Sequence, residues 1–319
     1  MKKIIIDTDP GIDDALAICY AMKHPQLQVL ALTCIYGNVS TSLATDNALR
    51  LCELCESSAI VAKGATQPLS ITPHPVADFV HGKNGFGNAE LPASERTPCA
   101  ESAAELIVRL INENPGEISL VAVGPLTNIA LALELSPDIT NKVADVVIMG
   151  GTFYREGNVS LHAEANIWND PHAAKQVFNA SWPLVVHGLD VTRKITFSRA
   201  YLDHIAVNSP VPGNFLRQAS EFYIDFYESR QAIKGCCPHD HLALAYVTHP
   251  EWFILESGNL DVVTEGEQIG RTTITKDQPD GANKDINAES GSALRQIAVD
   301  VNATELLRDY SEVLTAPTT

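Results

Sequence analysis

Short apolar runs alternate with segments of helical periodicity along the first two-thirds of the chain. Each apolar run is only a few residues long, and the segments between the runs repeat their apolar positions at helical spacing. Strands that helices cover on both faces have such uninterrupted apolar runs, because neither face meets water. The pattern therefore predicts strands at residues 3–6, 28–32, 60–62, 118–123, 145–149 and 184–187, and helices at residues 13–23, 41–56, 101–112, 126–135 and 171–179.

The last third of the chain departs from this alternation. Residues 199–246 have a mostly helical pattern, and residues 260–264 and 272–275 predict a hairpin. Residues 296–301 predict a last strand, which a closing helix follows.

No linker or internal repeat divides the sequence. The stretches rich in proline and glycine, of which residues 277–283 are one, have the length of loops. Apolar strands that alternate with helices are typical of a parallel sheet with helices on both faces. We therefore expect a single α/β domain over residues 1–319, with a mainly parallel central sheet flanked by helices.

The charge of the chain narrows its possible partners. The 319 residues carry a formal net charge of −17, and 45% of them are hydrophobic. A strongly acidic surface repels phosphate backbones and anionic lipid headgroups, so we expect neither a nucleic acid nor a membrane partner. The sequence also has no apolar run near the roughly 20 residues that a membrane span needs.

The N-terminus and the cysteines indicate the cytoplasm. Met1, Lys2 and Lys3 precede an apolar stretch of only three residues, which is too short for a secretory signal. The 7 cysteines have no framework spacing and suit reduced thiols in a reducing compartment. We therefore expect a cytoplasmic protein.

Four carboxylates follow the first predicted strand closely. They belong to Asp7, Asp9, Asp13 and Asp14, at the point where ligands bind in open parallel sheets. Asp13 suits the N-cap of the next helix, but four carboxylates this close repel one another unless a cation or shared protons compensate. The cluster therefore predicts a site for a hard divalent cation, Ca²⁺ or Mg²⁺.

Two further segments carry suitable polar groups. Asp240 lies between two histidines at the start of an apolar helical segment, where it suits either a helix cap or a ligand of the same cation. The histidines suit zinc, but the all-oxygen first cluster argues against that metal. Asn158, Glu164 and Asn166 supply the amide and carboxylate groups that bind sugar hydroxyls, although a plain polar loop has the same composition.

Taken in order, these segments resemble the inosine-uridine preferring nucleoside hydrolase family. The resemblance runs from Ile4 to about Leu314, and the motif at residues 7–15 is highly specific for that family. It implies an α/β fold, hydrolysis of the N-glycosidic bond of ribonucleosides, and assembly as a homodimer or homotetramer. The other matching segments are Tyr36-Gly37-Asn38, His81-Gly82, residues 123–128, Met149-Gly150-Gly151, residues 163–166, residues 188–192 and His239-Asp240.

The resemblance also implies a role for the matching positions. A water molecule activated by Ca²⁺ would attack the sugar, with Asp9 as the general base. His239 is the candidate proton donor to the leaving base, and His81 is a further candidate contact of the base. The implied Ca²⁺ ligands are Asp9, Asp14, Asp240 and the backbone carbonyl of Val123, and the implied ribose ligands are Asp13, Asn38, Asn158, Glu164, Asn166 and Asp240.

The residue at position 239 bears on the choice of base. The purine-specific branch of the family has a tryptophan there, so His239 favours uridine, cytidine or inosine. Tyr223, Tyr227 and Gln231 recur at helical spacing and suit the base side of the site, although helix packing alone would explain them. Ala165 departs from the family, because many members carry phenylalanine there, and this removes apolar surface near the sugar.

Three alternatives remain at this stage. A purine-preferring hydrolase would have the same fold. A phosphatase of the haloacid dehalogenase type would use Asp7 and Asp9, but the residues that follow, 10–14, fit that class poorly. A non-catalytic, calcium-dependent nucleoside-binding protein would need no general base.

Overall fold

The described part of the chain, residues 1–276 and 294–316 of a computed structural model, contains one nine-stranded sheet. Its strands are β1 (Lys2–Thr8), β2 (Leu27–Cys34), β3 (Ile60–Lys63), β4 (Ile118–Ala122), β5 (Asp145–Met149), β6 (Leu184–His187), β7 (Phe253–Val262), β8 (Thr272–Lys276) and β9 (Arg295–Val301). They lie in the order β3-β2-β1-β4-β5-β6-β9-β7-β8. Neighbours from β3 to β9 in that order are parallel, whereas β7 is antiparallel to both β9 and β8.

α-Helices cover the sheet, and most of them lie in the crossovers that connect parallel strands. They are α1 (Ile12–Lys23), α2 (Thr41–Leu54), α3 (Asp78–His81), α4 (Ala103–Glu113), α5 (Thr127–Leu135), α6 (Ala165–Asn169), α7 (Pro171–Asn179), α8 (Leu189–Thr192), α9 (Arg199–Asn208), α10 (Pro212–Gln231), α11 (His239–Thr248) and α12 (Ala303–Thr315).

Two hydrophobic cores lie on opposite faces of the sheet. Side chains alternate between the faces of a strand, so Ile4 and Ile6 of β1 pack into one core, which α1, α10, α11 and α12 complete. Ile5 packs into the other core, with α4, α5 and α7. Burial on both faces explains why β1 is an uninterrupted apolar run.

The predicted α/β fold with a mainly parallel sheet is confirmed. The boundaries of the strands and helices predicted in the first two-thirds agree with the structure to within two residues. The predicted hairpin is present, but β7 begins at Phe253, well before the predicted start at residue 260. The predicted loop at residues 277–283 lies outside the described residues. No helix in residues 1–276 or 294–316 is both long and apolar enough to cross a membrane.

The start of α1 differs from the prediction. The N-cap is Gly11, so the prediction of Asp13 as the cap is wrong. Asp14 takes the capping role from the third helical position, where its carboxylate accepts the backbone N–H of Gly11 at 2.9 Å. The helix begins earlier than predicted because Pro10 and Gly11 already turn the chain out of β1, and Asp13 is therefore free to face the pocket.

Candidate active site

One pocket lies beyond the carboxyl ends of the parallel strands, where loops from distant parts of the sequence meet. It brings together all the residues predicted to contact the substrate, and it also includes Tyr223, Tyr227 and Gln231. Asp9 and Asp14 are fully buried and lie outside its lining. The predicted site residues that line the pocket are Asp13, Asn38, His81, Val123, Asn158, Glu164, Asn166, His239 and Asp240.

Asp7 stands behind the pocket, near the end of β1. Its Oδ1 accepts the hydroxyl of Thr33 at 2.6 Å and the side-chain amide of Asn128 at 2.8 Å, and burial raises the pKa of Asp7 to about 7. These contacts join β1 to β2 and to α5.

Asn38 fixes Asp9 and Asp14 relative to each other. Its backbone N–H donates to Asp9 Oδ2 at 2.6 Å, and its side-chain amide donates to Asp14 Oδ2 at 3.0 Å. Asp14 also accepts the hydroxyl of Thr8 at 2.5 Å. Asp9 Oδ1 has no hydrogen-bond partner among the described residues, although it is buried. One oxygen of Asp9 is therefore held, and the other is available for a cation or a proton.

Three carboxylates converge beside Asp9. Asp13, Asp14 and Asp240 each place one oxygen within 4.8 Å of the others. Burial and the neighbouring Asp14 raise the pKa of Asp13 to about 8, and burial and the surrounding carboxylates raise the pKa of Asp9 and Asp240 well above the usual aspartate range. Buried carboxylates resist ionisation unless a positive charge compensates them.

This donor set fits a hard divalent cation. All its ligand groups are oxygens, and Asp9 Oδ1 and Asp13 Oδ1 are buried without a hydrogen-bond partner among the described residues. The three carboxylates that lie within 4.8 Å of one another include Asp13, whereas the implied ligand set contains Asp9 in its place. The backbone carbonyl of Val123 lies at the same pocket, where it accepts the side-chain amide of Asn166 at 2.8 Å. The implied ligand set remains a prediction.

Two glycines pack directly against Asp9. A Cβ atom at Gly37 would lie 2.1 Å from Asp9 Oδ2, and one at Gly124 would lie 2.6 Å from Asp9 Oδ1. Both separations are far below van der Waals contact, so only glycine fits at these positions without moving the carboxylate. The conformation of Asp9 is therefore set by backbone packing as well as by hydrogen bonds.

The loop before α6 forms the opposite wall. Glu164 caps α6, where its carboxylate accepts the N–H groups of Gly151 at 2.8 Å and Asn166 at 2.9 Å. Burial raises the pKa of Glu164 to about 7 despite these donors. Asn158 is exposed, and its Oδ1 accepts the N–H of Ala165 at 3.0 Å. Fixed amide and carboxylate groups on one wall suit the binding of vicinal hydroxyls.

His239 lies between two hydroxyl groups. Its Nε2 is 2.6 Å from the hydroxyl of Tyr227, and its Nδ1 is 2.7 Å from the hydroxyl of Thr192. Burial lowers the pKa of His239 to about 3, so the imidazole is neutral at pH 7. The hydroxyl of Tyr223 lies 3.4 Å from that of Tyr227 and 3.4 Å from Asp13 Oδ2. Two tyrosines thus lie between His239 and the carboxylate cluster.

His81 is neutral for the same reason. Burial lowers its pKa to about 3, and its Nδ1 accepts the backbone N–H of Ile12 at 3.2 Å. The same nitrogen is 3.9 Å from Asp13 Oδ1. His81 therefore supports the start of α1, and it lines the pocket beside Asp13 and Tyr223.

Sequence reasoning missed an apolar rim around the pocket. Phe79 is exposed, its ring centroid lies 6.1 Å from that of Phe226, and both residues line the pocket. Phe226 is three residues after Tyr223 and one before Tyr227, so the helical spacing on α10 offered a signal. Phe79 lies in a short helix without a periodic pattern, and no local signal identifies it.

Comparisons with known proteins agree on one family. The family model described as inosine-uridine preferring nucleoside hydrolase matches residues 4–308. A probable uridine nucleosidase 1 from Oryza sativa is 38% identical over 319 residues, which cover 99% of this chain and 97% of the relative. The structure of a plant nucleoside hydrolase superposes with a TM-score of 0.92 at 37% identity, over 99% of both chains. A purine-preferring ribonucleoside hydrolase from Gardnerella vaginalis superposes with a TM-score of 0.91 at 32% identity, over 98% of both chains.

Proposed function

This chain belongs to the inosine-uridine preferring nucleoside hydrolase family and is an enzyme that hydrolyses the N-glycosidic bond of ribonucleosides, and from that premise we propose a calcium-dependent mechanism with Asp9 as its general base. The observation that carries the proposal is a cluster of buried carboxylates at the floor of a pocket whose walls bear hydroxyl-binding groups. A nucleoside has a diol that such walls would hold, and its reaction develops positive charge on the sugar that carboxylates would stabilise.

Asp9, Asp14, Asp240 and the carbonyl of Val123 would hold the cation, and Asp13 lies close enough to the same group to share in its charge. Calcium is the proposed ion because carboxylate and carbonyl oxygens are its preferred ligands. When bound, it would supply a positive charge that orients water and favours its deprotonation. That charge would also restore the ionised forms of the buried carboxylates.

Asp9 is the proposed base because only one of its oxygens is engaged. Oδ2 accepts the N–H of Asn38 and has a second lone pair that would face the cation, so Oδ1 is left to accept a proton from the attacking water. The water oxygen forms a bond to the anomeric carbon, and the bond between that carbon and the base nitrogen breaks. The products are ribose and the free base, and the base gains the proton that completes the reaction.

His239 and Tyr227 are the proposed route for that second proton. The neutral imidazole of His239 cannot act as an imidazolium acid at pH 7, because burial lowers its pKa to about 3. It can hold the hydroxyl of Tyr227 at 2.6 Å, and Tyr227 lines the pocket. A hydroxyl positioned in this way can donate to the departing base and be reprotonated through the histidine.

The preferred base is proposed to be uracil, cytosine or hypoxanthine. A histidine at position 239, where the purine-specific branch has a tryptophan, supports this preference, as do relatives named for uridine. A purine-preferring hydrolase is the alternative, because the Gardnerella vaginalis enzyme with that name is also similar over nearly the whole chain.

The test is release of ribose from uridine, cytidine, inosine and adenosine in the presence of Ca²⁺. We expect Asp9→Ala to lower kcat by about 10²- to 10⁴-fold, the range of general-base catalysis. Asp46→Ala is the matched control, because Asp46 is an exposed carboxylate on α2. Dominant adenosine cleavage would overturn the base preference and leave the mechanism intact. A nucleoside that raises the melting temperature without being cleaved would favour the binding-protein alternative.

Two further expectations belong to the same proposal. We propose a cytoplasmic enzyme of nucleoside salvage, and all seven cysteines are free thiols, as a reducing compartment favours. A homodimer or homotetramer is expected from the family resemblance, and light scattering of the purified protein tests that assembly.

A further inference from the structure

A second cluster of potential metal ligands lies away from the pocket. His24 directly follows α1, His249 directly follows α11, and Asp309 lies in the middle of α12. The first turns of α1 and α11 carry the active-site carboxylates, so the cluster is at the opposite ends of the same two helices. It is therefore separate from the nucleoside site.

The three side chains point toward one another. Asp309 Oδ1 is 4.0 Å from His24 Nε2 and 3.9 Å from His249 Nε2. One ligand atom from each residue lies within 4.8 Å of the others. Ligands of a tetrahedral zinc ion at about 2.0–2.1 Å lie roughly 3.4 Å apart, so an inward movement of about half an ångström by each side chain would complete the geometry.

We propose that His24, His249 and Asp309 bind a transition-metal ion of the zinc class. Two imidazoles and one carboxylate are a donor set that zinc accepts, whereas calcium prefers oxygen ligands alone. The cluster lines a surface cavity, so water can take the fourth ligand position. His24 is buried, and His249 and Asp309 are partly exposed, which gives an ion a path of entry.

Neighbouring groups already orient two of the ligands. His249 Nδ1 lies 2.9 Å from Glu251 Oε1, and donation of its proton to that carboxylate leaves the lone pair of Nε2 facing Asp309. The hydroxyl of Tyr20 donates to Asp309 Oδ2 at 2.5 Å and leaves Oδ1 for the metal. A carboxylate behind a ligating histidine is a common feature of metal sites, because it fixes the tautomer of the ring.

One hydrogen bond opposes binding. The backbone N–H of Gln26 donates to His24 Nδ1 at 3.1 Å, so the proton of the neutral ring resides on Nε2. Metal binding at Nε2 would transfer that proton to Nδ1 through solvent and break the contact with Gln26. The nearby guanidinium of Arg308 is balanced by ion pairs with Glu305 and Glu312, so it adds little net positive charge.

A metal at this position would join three helices. Its ligands would connect the C-terminal ends of α1 and α11 to α12. These three helices are far apart in sequence. An ion that binds only the folded state stabilises that state in proportion to its free concentration. The expected readout is therefore thermal stability, which does not require catalysis.

The test is titration of Zn²⁺ into full-length protein that is already saturated with Ca²⁺, so that the nucleoside site is occupied. We expect one equivalent of zinc to bind by calorimetry and the melting temperature to rise. His249→Ala and Asp309→Asn should each weaken zinc binding at least tenfold and remove the rise. His204→Ala is the matched control, because His204 is an exposed histidine on α9. Co²⁺ titration should give visible absorption bands of a four-coordinate ion in wild type and in His204→Ala only.

The variants must remain folded for this comparison. Asp309→Asn keeps an oxygen that can accept the Tyr20 hydroxyl, and ribose release without zinc should equal that of the wild type. Zinc affinity that is unchanged in both His249→Ala and Asp309→Asn would overturn the proposal. Failure of the calcium-saturated wild type to bind an equivalent of zinc would also overturn it.

Discussion

Gly37→Ala tests the active-site geometry because it removes no candidate catalytic side chain and acts only on the position of Asp9. The new Cβ would lie 2.1 Å from Asp9 Oδ2 and 3.1 Å from Pro125 Cδ. Real Cβ contacts are essentially never below 3.0 Å, so the Asp9 carboxylate must move by about 1 Å. That movement breaks the 2.6 Å hydrogen bond from the Asn38 N–H, which is the bond that holds Oδ2.

The size of the effect follows from these distances. A displacement of about 1 Å in a positioned catalytic group costs roughly 10²-fold in rate. The partly buried N–H of Asn38 would also lose its partner, which costs at most about 1–3 kcal/mol of stability. We therefore expect kcat/KM for uridine and inosine to fall about 100-fold in Gly37→Ala, with a loss of a few kcal/mol in the free energy of unfolding.

Gly116→Ala is the control for this substitution. Gly116 also has a positive φ, +77°, but a Cβ there would meet nothing within 4 Å, so the variant reports backbone strain alone. Ribose release and urea unfolding are measured for both variants, and Gly116→Ala should keep the wild-type kcat/KM. Equal kcat/KM in the two variants would show that Asp9 tolerates displacement, and the reasoning about its position would then be wrong.

Two further predictions concern the proton donor and the carboxylate cluster. Tyr227→Phe removes the hydroxyl 2.6 Å from His239 Nε2, and kcat for uridine should fall about 10²- to 10⁴-fold, the range of general-acid catalysis. A nitrophenyl riboside, whose leaving group needs no proton, should react at the wild-type rate. An equal loss for both substrates would contradict the proton-donor role. In chelator-treated protein the free energy of unfolding should fall between about pH 7.5 and 8.5, by at most about 1.4 kcal/mol per pH unit for each proton involved. The pKa of Asp13 is raised to about 8 in the folded state, so the folded protein keeps a proton that the unfolded chain has already lost. The stability that this proton contributes is lost as the pH rises through 8. His81, His187, His239 and His241 have their pKa lowered to about 3, so their opposite contribution follows the unfolded imidazoles near 6.5 and is complete by about pH 7.5. Saturating Ca²⁺ should abolish the decline, and a flat chelated profile in urea titrations would contradict the proposed charge balance.

Most of the fold was predictable because its signal is local. Strands such as β1 and β5 are buried on both faces, so their apolar runs appear directly in the sequence. β7 was predicted too short because its middle contains Glu256, Gly258 and Asn259, which have low strand propensity. Pairing with β9 and β8 supplies the hydrogen bonds that make this segment a strand, and pairing between distant segments is not a local property.

The site divides along the same line. Motifs in the sequence were enough to select Asp9, Asp14 and Asp240 as candidate site residues. The order of the strands explains why residues so far apart in sequence meet at one edge of the sheet. The protonation state of His239 could not be predicted from the sequence, because the pKa of the ring depends on its burial. Tyrosines on α10 contribute to that burial, but in the sequence they show only helical spacing. The sequence alone shows only that residue 239 is a histidine, which suggests a proton donor with the ordinary pKa of that side chain. The structure places that ring between the hydroxyls of Thr192 and Tyr227, and Tyr227 lines the pocket, which is why we propose its hydroxyl as the proton donor to the base.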